Sequence, residues 1–164
     1  MTPLQSYREI PLTKGQVTKV SPRMYDYLMQ WNWCAQWSPT MGKFYAVRNS
    51  GTKKVRMHRE VLGLQHGDPR ISDHINGDTL DNTDENLRAA TASENNRNRR
   101  YTDRNNNTGF KGVSFDKTSP RKYKASIKFN RKSIYLGSFN TAEGAYAAYC
   151  AAAKELHGEF ARLA

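Results

Sequence analysis

Apolar and polar positions change period several times along the chain, and each change marks an element. Met24, Tyr25, Leu28 and Met29 recur at helical spacing behind Ser21-Pro22, an N-cap residue followed by proline at the first helical position, so a short helix is predicted there. Trp31, Trp33, Ala35 and Trp37 then alternate with polar or small residues, and residues 44–47 and 55–57 flank a Ser50-Gly51 turn. Period two with a turn predicts strands, with the three tryptophans on one face turned into the core. Gly67-Asp68-Pro69 marks a loop. Ile71 opens another strand, Asn76-Gly77-Asp78 and Asp81-Asn82 supply turn chemistry, and residues 86–90 return as its partner. Thr91 or Ser93 then caps a short helix, which completes a ββα unit.

Residues 101–108, YTDRNNNT, have almost no apolar content and read as a linker. Beyond it, residues 113–115, 123–129 and 133–139 alternate as strands, separated by Pro120 and by Asn130-Arg131, which predicts a three-stranded antiparallel sheet. Thr141 caps a helix that runs to Leu156 or His157 and is closed by Gly158, with Ala145, Ala148, Tyr149, Ala152 and Leu156 on one face. The class is α+β, built of small modules. They are a strand-rich N-terminal region (1–57), the ββα unit (58–100), the linker (101–108), and a sheet packed on one helix (109–164).

Charge sharpens this division. The 164 residues carry 26 Lys and Arg against 15 Asp and Glu, a formal +11. Residues 1–57 hold nine basic and two acidic side chains, residues 58–104 seven and nine, and residues 105–164 ten and four. Two basic flanks around an acidic, Asn-laden centre suggest a polyanion held at both ends and oxygen ligands between them, as nucleic acid with a hard metal would require. The longest apolar run, residues 145–153, falls far short of the roughly 20 residues that span a bilayer, so no membrane partner and a cytoplasmic, non-secreted address are expected. Cys34 and Cys150 lie far apart and read as free thiols packed like small apolar groups.

The chemical centre is the run from Ile71 to Arg97. Asp73 and His74 are adjacent, so on an extended backbone they point to opposite sides, one able to hold a cation and the other to meet a water. Asn95, in the first turn of the capped helix, is close enough in such a unit to share a metal with Asp73. Asp78, Asp81 and Asp84 read as turn-forming and solvated. His66, in a loop, and His157, at a helix end, read as structural, and His58 divides evenly between packing and phosphate contact.

The stretch from Met57-His58-Arg59 through Asp73-His74-Ile75, Asn82, Asn86-Leu87-Arg88 and Glu94-Asn95 resembles the HNH endonuclease motif, specifically the ββα-metal nucleases of phages and mobile introns. With 21 residues between Asp73 and Asn95, the spacing is that of the homing-type members. The resemblance implies that Asp73 and Asn95 are metal ligands, that His74 is the general base, and that Asn86 is the middle asparagine that braces the loop and orients His74. The class often has histidine at the last ligand position, where this chain has Asn95. One carboxylate and one amide oxygen suit a hard cation that keeps its waters, so one Mg²⁺ or Mn²⁺ is favoured over Zn²⁺, with no small-molecule cofactor. The implied reaction is phosphodiester hydrolysis, in which neutral His74 takes a proton from an in-line water.

From Lys111 to Lys132 eight basic residues and one acid, Asp116, interleave with Phe115, Tyr123, Ile127 and Phe129, giving a basic face over an apolar one. Residues 109–163, through GFKGVSF, KYKASIKF, IYLGSFNTAEGAYAAYCAAAK and HGEFARL, resemble the ethylene-responsive-factor type of DNA-binding domain, known from plant transcription factors and phage HNH endonucleases. The resemblance implies a sheet laid in the major groove of double-stranded DNA, with Lys111, Lys128 and Tyr135 at matching positions. Ser114, Asp116, Ser126 and Ser133 stand where plant members carry arginine or glutamate, so the plant sequence preference is not carried over. Arg121, Lys122, Lys124, Arg131 and Lys132 are left as phosphate contacts, which position without reading sequence. Residues 8–57 resemble the leader of such phage proteins, and Lys43, Arg48, Lys53, Lys54 and Arg56 offer it an auxiliary DNA surface.

The expected function is therefore a metal-dependent DNA endonuclease, acting by resemblance in the cytoplasm of a phage-infected bacterial host. The rival from another class is a DNA-binding regulator whose HNH scaffold no longer cleaves, with an RNA-binding protein as a third.

Overall fold

A computed structural model describes residues 6–98, 106–118, 120–161 and 163. The chain divides into two compact units, one ending at Asn95 and the other beginning at Asn96.

In the first unit β1 (Arg8–Pro11) and β2 (Val17–Val20) form an antiparallel hairpin turned by Lys14 and Gly15, both at positive φ. β3 (Cys34–Ser38), β4 (Lys43–Ser50) and β5 (Lys53–Arg56) form a meander, and β6 (Ile71–His74) pairs with β8 (Leu87–Ala90). The short β7 (Asp81–Asn82) lies in the connection between those two and pairs in parallel with β2, Lys19 opposite Asp81 and Val20 opposite Asn82. The helices are α1 (Pro22–Leu28), α2 (Met57–Val61) and α3 (Ala92–Asn98).

One core draws on both the leader and the ββα unit. Ile10, Val20, Leu28, Trp33 and Ala35 pack with Met57, Val61 and Leu87, so the leader and the ββα unit bury their apolar side chains together, and α2 straddles the boundary expected at residue 57. A small unit cannot bury enough surface in separate pieces of this size.

Several local expectations change. The sequence pattern extends strand through residue 57, but β5 ends at Arg56 and Met57 turns inward as the first residue of α2, 0% exposed. Of the three tryptophans, Trp33 is buried, donating Nε1–H to the Leu28 carbonyl at 2.8 Å. Trp31 is half-buried ahead of β3, and Trp37 is 46% exposed, propped edge-to-face on its cross-strand partner Phe44. Alternation placed all three on one face, but only Trp37 lies within the strand. Ser21 precedes α1 as expected, yet its hydroxyl caps nothing there; it accepts from the Asp84 amide at 2.8 Å, tying the leader to the ββα loop. Cys34 is exposed rather than packed, and Cys150 is half-buried.

In the second unit β9 (Val113–Phe115), β10 (Tyr123–Phe129) and β11 (Lys132–Phe139) form an antiparallel sheet with β10 central. Asn130 and Arg131, both at positive φ, make the two-residue hairpin turn. α4 (Ala142–His157) is capped by the Thr141 hydroxyl, which accepts from Gly144 N at 3.1 Å. Ala125 and Ile127 meet Ala145, Tyr149 and Ala153 of α4, so Lys124, Ser126 and Lys128 alternate onto the uncovered face. Residues 101–105 of the expected linker lie outside the described residues; Asn106 and Thr108 are folded in, bonded to the Phe110 and Val113 carbonyls.

The close approach of α4 depends on Gly112, at φ 75°. A Cβ there would sit 2.0 Å from Tyr149 Cδ2 and 2.8 Å from the Ser126 carbonyl, which cannot move aside as a side chain can. Gly112→Ala is expected to destabilise this unit by about 1–3 kcal/mol from overpacking, with backbone strain added, measured as a fall in urea midpoint.

Candidate active site

β6 and β8 set the site through their register, with Asp73 opposite Arg88 and His74 opposite Leu87. Opposite residues share a face, so the Asp73 carboxylate meets the Arg88 guanidinium, Nε donating to Oδ2 at 2.8 Å, with the two side chains 4% and 12% exposed. A carboxylate this deeply buried needs such compensation. His74 turns to the other side, as period two requires. Its ring stands 5.3 Å from that of His58 at 90° and 6.4 Å from Tyr45, and Tyr45 is edge-on to His58 at 5.7 Å. Its Nε2 is 3.3 Å from Asn82 Oδ1.

The connection from His74 to Leu87 is folded by its own polar side chains. Asn86 Oδ1 accepts from Asn76 N at 2.8 Å and its Nδ2 donates to the Asp81 carbonyl at 2.7 Å, so it spans the loop, while Asn82 Oδ1 lies beside the His74 ring. Asp78 accepts from Leu80 N and Asp81 from Thr83 and from Asn76 Nδ2, both closing turns as expected, whereas Asp84, though exposed, is paired with Arg23. Asn82 Nδ2 donates to Thr18 Oγ1 at 2.8 Å, and Thr18 Oγ1 donates to the Leu80 carbonyl at 2.7 Å. Thr91 and Glu94 form a reciprocal capping box that starts α3 one residue after β8. Asn95 stands half-buried in this helix.

His58 and His74 are held neutral by their enclosure. Burial, then the neighbouring His74 ring and the charges of Arg56 and Arg59, push His58 down to about 3. Burial also lowers His74, opposed by its bond to Asn82 and by the carboxylates of Asp73, Asp78 and Asp81. His58 is 6% exposed, which resolves its two readings in favour of packing, and Arg59 beside it donates to the Gln65 and Arg70 carbonyls. His66 is exposed in a loop, and His157 is buried with Nε2 at the Lys128 carbonyl.

Residues 58–97 match the HNH endonuclease family. The HNH segment thus contains Asp73, His74, Asn82, Asn86 and Asn95, while Thr18 and Tyr45 lie outside it. No curated protein and no solved structure matches the chain. Nucleases of the HNH class generally work with a divalent metal. Among the described residues no three His, Cys, Asp or Glu side chains gather into a ligand cluster. The carboxylate of Asp73 and the amide oxygen of Asn95 are donor types that a hard cation retaining most of its water takes.

The other basic residues sort by what they touch. Arg121, Lys122, Lys128, Arg131 and Lys132 are exposed, and among the described large hydrophobic residues Tyr135 is the most exposed, its hydroxyl 2.6 Å from Ser138 Oγ. Lys111 is instead half-buried, donating to the Arg97 carbonyl at 2.6 Å, and Lys124 is paired with Asp116. In the leader, Arg48 is inside, bonded to Glu60 at 3.0 Å with its guanidinium over Trp31, so it offers no outer charge; Lys43 donates to the Gly77 carbonyl. Thr18 and Tyr45 were missed as site neighbours because nothing local in their segments marks them.

Stability should follow His58. Its folded value lies below the ordinary 6.5, so the unfolded chain binds more protons between those two values. Stability is therefore full above about pH 6.5 and falls as pH drops toward 3, by up to ~1.4 kcal/mol per pH unit for this group. His58→Gln should lose less stability than wild type between pH 7 and pH 5 in urea unfolding; equal losses would remove His58 as the cause.

Proposed function

We propose that the chain is a metal-dependent DNA endonuclease whose general base is His74. The observation that carries this reading is the pair at the end of β6: a buried carboxylate on one side and, on the other, a histidine held neutral with its ring bonded to Asn82. A neutral imidazole can take the proton of a water placed in line with a phosphodiester phosphorus, whereas a charged one cannot. Asp73 and Asn95 would hold the divalent ion, which supplies charge to the scissile phosphate and its leaving oxygen. Arg88 holds the Asp73 carboxylate in place, and neutral His58 puts no second positive charge beside the base.

The second unit would hold DNA. Its uncovered face carries Lys128 and Ser133 opposite one another, Ser126 opposite Tyr135, and Lys124 between Ser114 and Ser138. Lysines, hydroxyls and one exposed aromatic ring suit phosphate and groove contact, in keeping with the ethylene-responsive-factor resemblance. One observation favours the non-cleaving regulator: the guanidinium of Arg88 already occupies Asp73.

Supercoiled plasmid with Mg²⁺ separates the two. Wild type is expected to nick or cut, and His74→Ala to lose ~10²–10⁴ in rate; no cleavage by either would leave the regulator. For the holding face, Lys128→Ala should reduce the slope of log affinity against log salt by up to ~0.9, the value of one phosphate contact. An unchanged slope would place the contacts elsewhere.

A further inference from the structure

We infer that Thr18, in the leader strand β2, is a positioning residue for His74, fixing through Asn82 the proton on Nε2 and thereby the basic lone pair on Nδ1. Its use in catalysis rests on the nuclease reading above; its geometry does not.

The hydrogen-bond directions follow from chemistry. Thr18 Oγ1 lies 2.7 Å from the Leu80 carbonyl, and two oxygens at that separation need a proton between them. A carbonyl has none, so the proton is that of the Thr18 hydroxyl. The other direction open to it, toward Met57 Sδ at 3.9 Å, is far weaker. With its hydrogen committed, Oγ1 can only accept, so the Asn82 atom 2.8 Å away is the amide nitrogen. The other end of that amide is therefore the oxygen, and it faces His74 Nε2 at 3.3 Å. An amide oxygen offers only lone pairs, so the partner nitrogen carries the hydrogen. Reversing the amide would ask one Thr18 proton to serve two oxygens. Thr18 and Asn82 are both 0% exposed, so solvent cannot supply the missing partner.

An asparagine alone would not decide this, because its two ends have nearly the same shape and either can face a ring nitrogen. The decision comes from outside the HNH segment. The parallel pairing of β2 with β7, with Lys19 N bonded to the same Leu80 carbonyl at 2.9 Å, holds Thr18 against Asn82. A base acts through the nitrogen that bears the lone pair, so the selection of one tautomer is a selection of where a proton can be accepted.

The test reads the tautomer directly, by long-range proton–nitrogen NMR of uniformly labelled protein without added metal, with the His74 signals assigned by His74→Gln. Wild type is expected to carry the proton on Nε2. Thr18→Val keeps the shape of the side chain but removes the hydroxyl, so a share of His74 should move to the Nδ1-protonated form. On supercoiled plasmid with Mg²⁺, kcat should fall about 10–100-fold with KM unchanged, the size typical of partners that orient a functional histidine. Thr18→Ser, which keeps the hydroxyl, should restore both readouts. A wild-type proton on Nδ1 overturns the inference whichever variants fold, as does an unaltered tautomer and kcat in Thr18→Val. A tautomer that responds to Thr18 in a protein that never cleaves DNA would uphold the positioning and sink the nuclease reading instead.

Discussion

The constraint on which the first unit depends is that a loop rich in Asn, Asp and Thr is drawn into its interior. Burying an amide or hydroxyl costs several kcal/mol unless a partner meets it, roughly 2–7 by the reference chosen. Asn82 and Thr18 are both fully enclosed and partner one another, while Asn86 spans the loop from Asn76 to Asp81. The fold can hold this loop in one conformation because alternatives would leave buried donors without acceptors, a penalty larger than most single apolar contacts contribute. The rigidity of the site is thus a property of polar bookkeeping, and the apolar core around Leu28, Trp33 and Met57 supplies the enclosure that makes it strict.

Electrostatics in the site run in two directions on the two faces of β6. On the Asp73 face a guanidinium compensates a buried carboxylate, and on the His74 face enclosure disfavours a cation. The period of the strand is what allows opposite conditions within one dipeptide. The second unit follows a simpler plan. One face of its sheet is covered by a helix rich in alanine, the other left to lysine, serine and Tyr135.

Much of the secondary structure was legible because the relevant signals are local. Thr141 and Gly158 bound α4, Asn130-Arg131 turns β10 into β11, and Thr91 with Glu94 starts α3. Asp73, His74 and Asn86 stood out through the resemblance of their stretch to the HNH motif, and the loop contacts of Asn86 are made within that same stretch. Less legible was everything set by long-range pairing. The β1–β2 hairpin has only four residues a side and little alternation, and β7 is a strand only because β2 lies beside it. Trp37 satisfied the alternation that predicted burial, but a residue on an edge strand is covered only if another element reaches it. Lys111 and Lys124 read as outward charges from sequence, since their partners, the Arg97 carbonyl and Asp116, lie elsewhere in the chain.

Helix α2 begins at Met57, whose side chain is wholly enclosed, and its next residue is His58, where the HNH segment opens. Residues 58–97 cut out on their own would leave behind the strand, the methionine and the threonine that enclose Asn82, so the piece of this chain that keeps that amide buried and paired is the first unit as a whole.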